Sequence, residues 1–80
     1  MDEFSDMPVI DVGEYEHYKG KRYSVLGVGC DTETNEYSVV YQPLYEHAGQ
    51  PDIWIRPYEM FIETVTVDGV IIPRFRRVDA

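Results

Sequence analysis

Few side chains in this 80-residue sequence could do chemistry unaided. The soft ligands are His17, Cys30 and His47, and none stands at a Cys-x-x-Cys or His-x-x-x-His spacing, so no metal site is expected. Cys30 reads as a small buried hydrophobe and the histidines as surface residues. Cys30 with either histidine would make a nucleophile–base pair only if folding brought them within about 3 Å, and no third, orienting group is evident. Glu14 and Glu16 share a strand face, where acids are commonly just solvated. Gly27-Val28-Gly29 lacks the further glycine and the helix of a phosphate-cradling loop. A small hydrolase-like enzyme is therefore the most distant reading, with no catalytic residue assigned and no cofactor expected.

Trp54-Ile55-Arg56-Pro57 is the most suggestive stretch. Alternation puts Trp54 and Arg56 on one strand face, where a guanidinium can stack on an indole or a tyrosine for about 0.5–2 kcal/mol. Tyr15, Tyr18, Tyr45 and Tyr58 are further candidates for such an aromatic–Arg groove, of the kind small β-barrels offer to extended peptides. The plainer alternative makes Trp54 core and pairs Arg56 with Glu59 or Glu63. The expected role is a non-enzymatic binding or accessory module for a peptide, a protein surface or a small polar ligand. A second reading uses the basic residues Lys19, Lys21, Arg22, Arg74, Arg76 and Arg77, whose aromatic neighbours could stack the bases of single-stranded nucleic acid. Its plain counterpart is that these cations balance nearby acids or protect an edge strand.

Charge argues against the nucleic-acid reading. The formal net charge is −8, but it is unevenly spread. Residues 1–16 hold six acids (Asp2, Glu3, Asp6, Asp11, Glu14 and Glu16) and no Lys or Arg; the remainder carries nine acids against seven bases. An acidic surface repels phosphates and anionic membranes, although the two basic clusters keep the possibility open locally. No run approaches the ~20 apolar residues of a membrane helix, the N-terminus opens with Asp2 and Glu3 rather than a basic segment, and a single cysteine suits a reducing compartment. A cytoplasmic protein is expected.

The elements that must position these residues are strands. Residues 1–12 show no sustained period and are expected to form an acidic, disordered tail before a single domain over residues 13–80. Glu14–Tyr18 leads through Lys19-Gly20-Lys21 into Arg22–Cys30, a strand apolar on both faces whose Gly27 and Gly29 would permit a bulge. Tyr37–Tyr45 alternates, with Tyr37, Val39 and Tyr41 on one face; Pro43 should end its ladder or mark an edge. Asp52–Arg56 is a short strand, and Pro57–Phe61 a single helical turn with Met60 and Phe61 turned inward and Tyr58 and Glu59 toward water. Ile62–Val67 and Val70–Ile72 flank Asp68-Gly69, a strong hairpin signal that puts Val65, Val67, Val70 and Ile72 on one face. Arg74–Val78 closes the series as an edge-like strand.

This pattern predicts an all-β domain, a small SH3-like barrel or roll of five to six antiparallel strands with one short helical turn; an open meander packed on itself is the alternative. With no disulfide available, its core must come from aromatic residues. Seven Tyr, three Phe and one Trp are present, and each ring buries about 150–250 Å², roughly 4–6 kcal/mol of gross transfer energy.

The ordered part resembles a small bacterial domain-of-unknown-function family, the one numbered sixteen-fifty-three. The matching stretches are His17-Tyr18-Lys19-Gly20, Tyr23 with Val25-Leu26-Gly27, Thr32-Glu33-Thr34, Val39-Val40-Tyr41-Gln42 with Leu44-Tyr45, Trp54-Ile55-Arg56-Pro57 with Glu59-Met60-Phe61, and Pro73-Arg74-Phe75. The resemblance implies an SH3-like all-β fold in a bacterial cytoplasmic protein of about this length. It supplies neither an activity nor functional residues. The loop from Glu46 to Asp52 is longer than the family's usual Gly-rich link, and residues 1–12 read as an extension.

Overall fold

The computed structural model describes residues 7–78. Seven strands and one helical turn follow in chain order: β1 (Gly13–His17), β2 (Arg22–Cys30), β3 (Tyr37–Pro43), β4 (Trp54–Pro57), α1 (Tyr58–Phe61), β5 (Thr64–Val67), β6 (Val70–Pro73) and β7 (Phe75–Arg77). β1 to β4 and β7 form one antiparallel sheet in the order β4-β3-β2-β1-β7, while β5 and β6 make a separate two-stranded ribbon. The all-β class holds. No ladder joins β4 to β7, so among the described residues the sheet keeps two edges rather than closing through hydrogen bonds. Seven strands form rather than five to six, the last two separated at Arg74, where the chain leaves the ribbon for the sheet.

Register decides which side chains meet. Tyr15 stands opposite Tyr23, Val25 opposite Tyr41, Val28 opposite Val39, and Tyr41 opposite Trp54, which places all of them on the inner face. The expected bulge lies in β2: pairing steps from Val25 to Gly27, leaving Leu26 as the extra residue, 48% exposed. Gly27 has φ +154, a backbone setting that side-chain-bearing residues rarely adopt. The bulge explains the two-faced appearance of β2. Val25 and Val28, three residues apart, share the inner face because one residue between them drops out of register. Pro43 ends β3 as expected, but β3 is central and Pro43 is buried.

The core is Tyr15, Tyr23, Val25, Val39, Tyr41, Phe61 and Phe75. α1 closes one end of the inner face: the Phe61 ring stacks on Phe75 at 4.1 Å and meets Tyr15 and Tyr41 edge-on at 5.7 and 5.5 Å. The turn differs from expectation at two residues. Met60 is 48% exposed rather than inward, because a four-residue turn can aim only one large side chain at the sheet. Tyr58 is half-buried rather than solvated, and its hydroxyl donates to the Val9 carbonyl at 3.1 Å.

That contact bears on the N-terminal segment. Residues 7–12 carry no regular secondary structure, yet Ile10 packs against the core. The Asp11 and Val12 carbonyls accept hydrogen bonds from Tyr15 and Arg77. This stretch thus contacts the domain through Ile10 and through its carbonyls. The expected disorder of residues 1–6 lies outside the described residues.

Candidate functional site

Trp54 and Arg56 do share a face, and it is the inner one. The isoleucines that alternate with them, Ile53 and Ile55, are 50% and 69% exposed. Arg56 stands opposite Val39, half-buried among rings. Its Nε donates to the Tyr41 hydroxyl at 3.4 Å, and its guanidinium carbon lies 5.6 Å from the centre of the Phe75 ring. No carboxylate among the described residues is within salt-bridge distance of it, Glu59 and Glu63 included. Trp54 is half-buried beside it, held by an indole N–H donated to the Pro51 carbonyl at 2.7 Å.

Tyr23 is the hub of the surrounding ring cluster, with Tyr41, Tyr45, Trp54 and Phe75 at centroid distances of 5.4–6.0 Å. Its hydroxyl lies 3.0 Å from that of Tyr45; burial first, then this contact, pushes the Tyr23 phenol well above its ordinary range, so it stays a neutral hydrogen-bonding group. Lys21 caps the Tyr45 ring with its ammonium 4.1 Å from the centroid. His17 packs edge-on against Phe75 at 4.9 Å, and its Nδ1 accepts the Lys19 N–H. Burial, followed by the positive charges of Arg56, Arg74 and Lys19, holds the His17 imidazole below its ordinary value.

The other sequence candidates lie elsewhere. Tyr15 is a core residue, 8% exposed, on a strand flanked by β2 and β7, with its ring packed edge-on against Phe61 of α1. Tyr58 sits against the N-terminal segment. Tyr18, 36% exposed, stacks on His17 at the end of β1. Sequence reasoning missed Tyr23, Tyr41, Phe75 and His17 as members of the site, since only register places them around Arg56.

The basic residues form no continuous stripe. On the outer face Glu16 stands in register with both Arg22 and Arg76 and pairs with each, at 3.4 and 2.6 Å, while Arg22 also takes Glu14 at 2.8 Å. Arg74 pairs with Glu63 at 2.7 Å, and Arg77 donates to the Val12 carbonyl. Lys19 and Lys21 lie against Tyr18 and Tyr45. Four of the six cations are thus held by acids or backbone, although Arg22 and Arg76 remain 47% and 61% exposed.

Neither histidine approaches the thiol through a hydrogen bond. Cys30 ends β2, eight residues from Arg22 at the strand's other end, is half-exposed rather than buried, and donates weakly to the Asp31 carbonyl. His47 lies in the loop after β3, where a surface depression of about 500 Å³ opens beside Tyr45. Its Nδ1 is 2.7 Å from the Tyr45 carbonyl and its Nε2 2.8 Å from Asp52. Both partners accept, so only the doubly protonated ring satisfies both contacts; the Tyr45 carbonyl first, then Asp52, raises its pKa. A raised folded value means that the clasp stabilises fully below about 6.5, the unfolded value, and is lost as pH climbs through the folded one. His17 works in the opposite sense, favouring the fold above 6.5 and opposing it as pH falls. Proton NMR titration should show His47 turning over above 6.5 and His17 below it, with Asp52→Asn lowering His47 alone. Identical midpoints for the two rings would contradict these contacts.

Among the described residues no group of three or more His, Cys, Asp or Glu is arranged to hold a metal, and no helix is long and apolar enough to cross a membrane. In comparison with known proteins, the family model described as a protein of unknown function, DUF1653, matches residues 13–77. A crystal structure of a protein of that family from Bordetella bronchiseptica is 39% identical, with a TM-score of 0.79 over 86% of this chain and 87% of that one. No curated protein matches.

Proposed function

The chain belongs to the DUF1653 family, which carries no assigned activity, and on that premise we propose a non-enzymatic binding module whose recognition group is Arg56. One observation carries the reading: a guanidinium is held among aromatic rings, and no acid among the described residues neutralises it. A structural arginine at such a site would be expected to face a carboxylate, because removing a charge from water is costly unless it is paired. A guanidinium without an acid among the described residues favours a ligand that brings the anion, a carboxylate-bearing segment of a peptide or protein, or a small polar ligand of the same chemistry. Trp54 and Tyr45 would flank it, and the bidentate fork of arginine suits a carboxylate. The lone, half-exposed Cys30 suits a reducing compartment, which supports a cytoplasmic module.

The sole tryptophan makes the test direct. Titration with a short Asp/Glu peptide should give a saturable change in Trp54 fluorescence and shift its indole N–H resonance, while the Asn/Gln counterpart gives none. Arg56→Lys should weaken the response by about tenfold, since a point charge replaces a fork. No response to the acidic peptide at about 1 mM, where binding is worth only about 4 kcal/mol, would end this reading. A response to an oligonucleotide instead would restore the nucleic-acid one.

A further inference from the structure

The β5–β6 ribbon has no part in that site, and its make-up is unlike the rest of the surface. Val67, Val70 and Ile71 are 38%, 59% and 71% exposed, and its only charge between Thr64 and Pro73 is Asp68 at the tip. A two-stranded hairpin alone is marginal in water; three or more strands with an apolar face are needed for independent stability. Asp68 and Gly69, at φ +50 and +79, form the tight turn that makes Val67–Val70 a hydrogen-bonded pair. Alternation continues through Val65–Ile72 to the Arg74 N–H bonded to the Glu63 carbonyl at 3.1 Å. Thr64 and Thr66 must then turn their N–H and C=O groups away from β6, to an edge that no other strand covers among the described residues.

Sheet edges elsewhere in the molecule are blunted. β4 ends in Pro57, β6 in Pro73, and β7 is three residues long with two arginines. β5 (Thr-Val-Thr-Val) carries neither proline nor charge. We propose that β5 pairs antiparallel with β5 of a second copy of this chain, joining the two ribbons into one four-stranded sheet. Centring the two-fold axis on Val65 matches Thr64 of each copy with Thr66 of the other, using every outward donor and acceptor in four backbone hydrogen bonds. It also continues the apolar face of Val65, Val67, Val70 and Ile72 across the axis. That self-complementary register points to a second copy as the occupant, and charge does not oppose it at this edge: six of the acids behind the net charge of −8 lie in residues 1–16, whereas the ribbons meet without charge and the two Asp68 tips lie at opposite ends. A strongly charged partner would find nothing on this edge to pair with.

The test is sedimentation from about 10 µM to about 1 mM, the range in which a modest interface converts, with amide exchange at Thr64 and Thr66 read in parallel. A concentration-dependent dimer whose Thr64 and Thr66 amides slow as it forms is the expected result. Thr66→Pro removes one outward N–H without touching a bond of the hairpin, and Thr66→Lys sets like charges across the axis; both should leave the chain folded and monomeric. A monomer throughout the range would overturn the proposal, as would a dimer unaffected by either substitution with both threonine amides still exchanging freely.

Discussion

Phe61→Ala is expected to destabilise the domain by about 3–5 kcal/mol, the range for truncating a large buried aromatic. The ring is 2% exposed and lies parallel to Phe75, with an interplanar angle of 5°. α1 is a single turn, too short to be stable by its own hydrogen bonds, so this side chain holds it to the sheet. Small domains are stable by about 5–15 kcal/mol, and a loss of this size approaches the lower bound. Urea denaturation followed by circular dichroism reads the change. Met60→Ala is the control: its neighbour in the same turn is half-exposed and should fall within about 0.5 kcal/mol. Equal effects at the two positions would mean that the turn is packed differently.

Tyr23→Ala should cost a comparable amount, about 3–5 kcal/mol, for a different reason. Tyr23 touches four other rings, so its removal opens a cavity beneath the candidate site as well as in the core. Tyr23→Phe separates the two roles. It keeps the ring contacts and removes only the hydroxyl facing Tyr45, which is half-buried and can turn to water, so about 1 kcal/mol or less should be lost. Should Tyr23→Phe prove as damaging as Tyr23→Ala, the phenol contact rather than the ring cluster would be holding this region.

The contrast between these residues shows how far the sequence could be read. The alternation of Tyr37, Val39 and Tyr41 and the Asp68-Gly69 turn were plain because each signal is local: a period of two, and a dipeptide suited to positive φ. The bulge at Leu26 was signalled by its glycines, but which residue dropped out was settled only by pairing with β3. β4 was harder. It is apolar on both faces, and the larger ring of Trp54 takes the interior while Ile53 and Ile55 stay outside. Tyr15 and Tyr18 are the same residue three positions apart, yet one is core and the other surface, a difference set by register against β2 and β7. The partners of Arg76 and Arg74 lie 60 and 11 residues away, and only strand order brings them together.

Arg56 joins the fold to the function, and separating its stability from its binding tests the account most directly. Arg56→Gln keeps a polar group of similar reach near the Tyr41 hydroxyl while removing the charge. Because no acid among the described residues pairs with Arg56, none of them is left buried and uncompensated, and the thermal midpoint should move by less than about 4 °C, equivalent to under 1 kcal/mol in a domain this small. The Trp54 response to the acidic peptide should disappear. A midpoint lowered by about 10 °C or more with the peptide response intact would show Arg56 to be a structural residue and contradict the account.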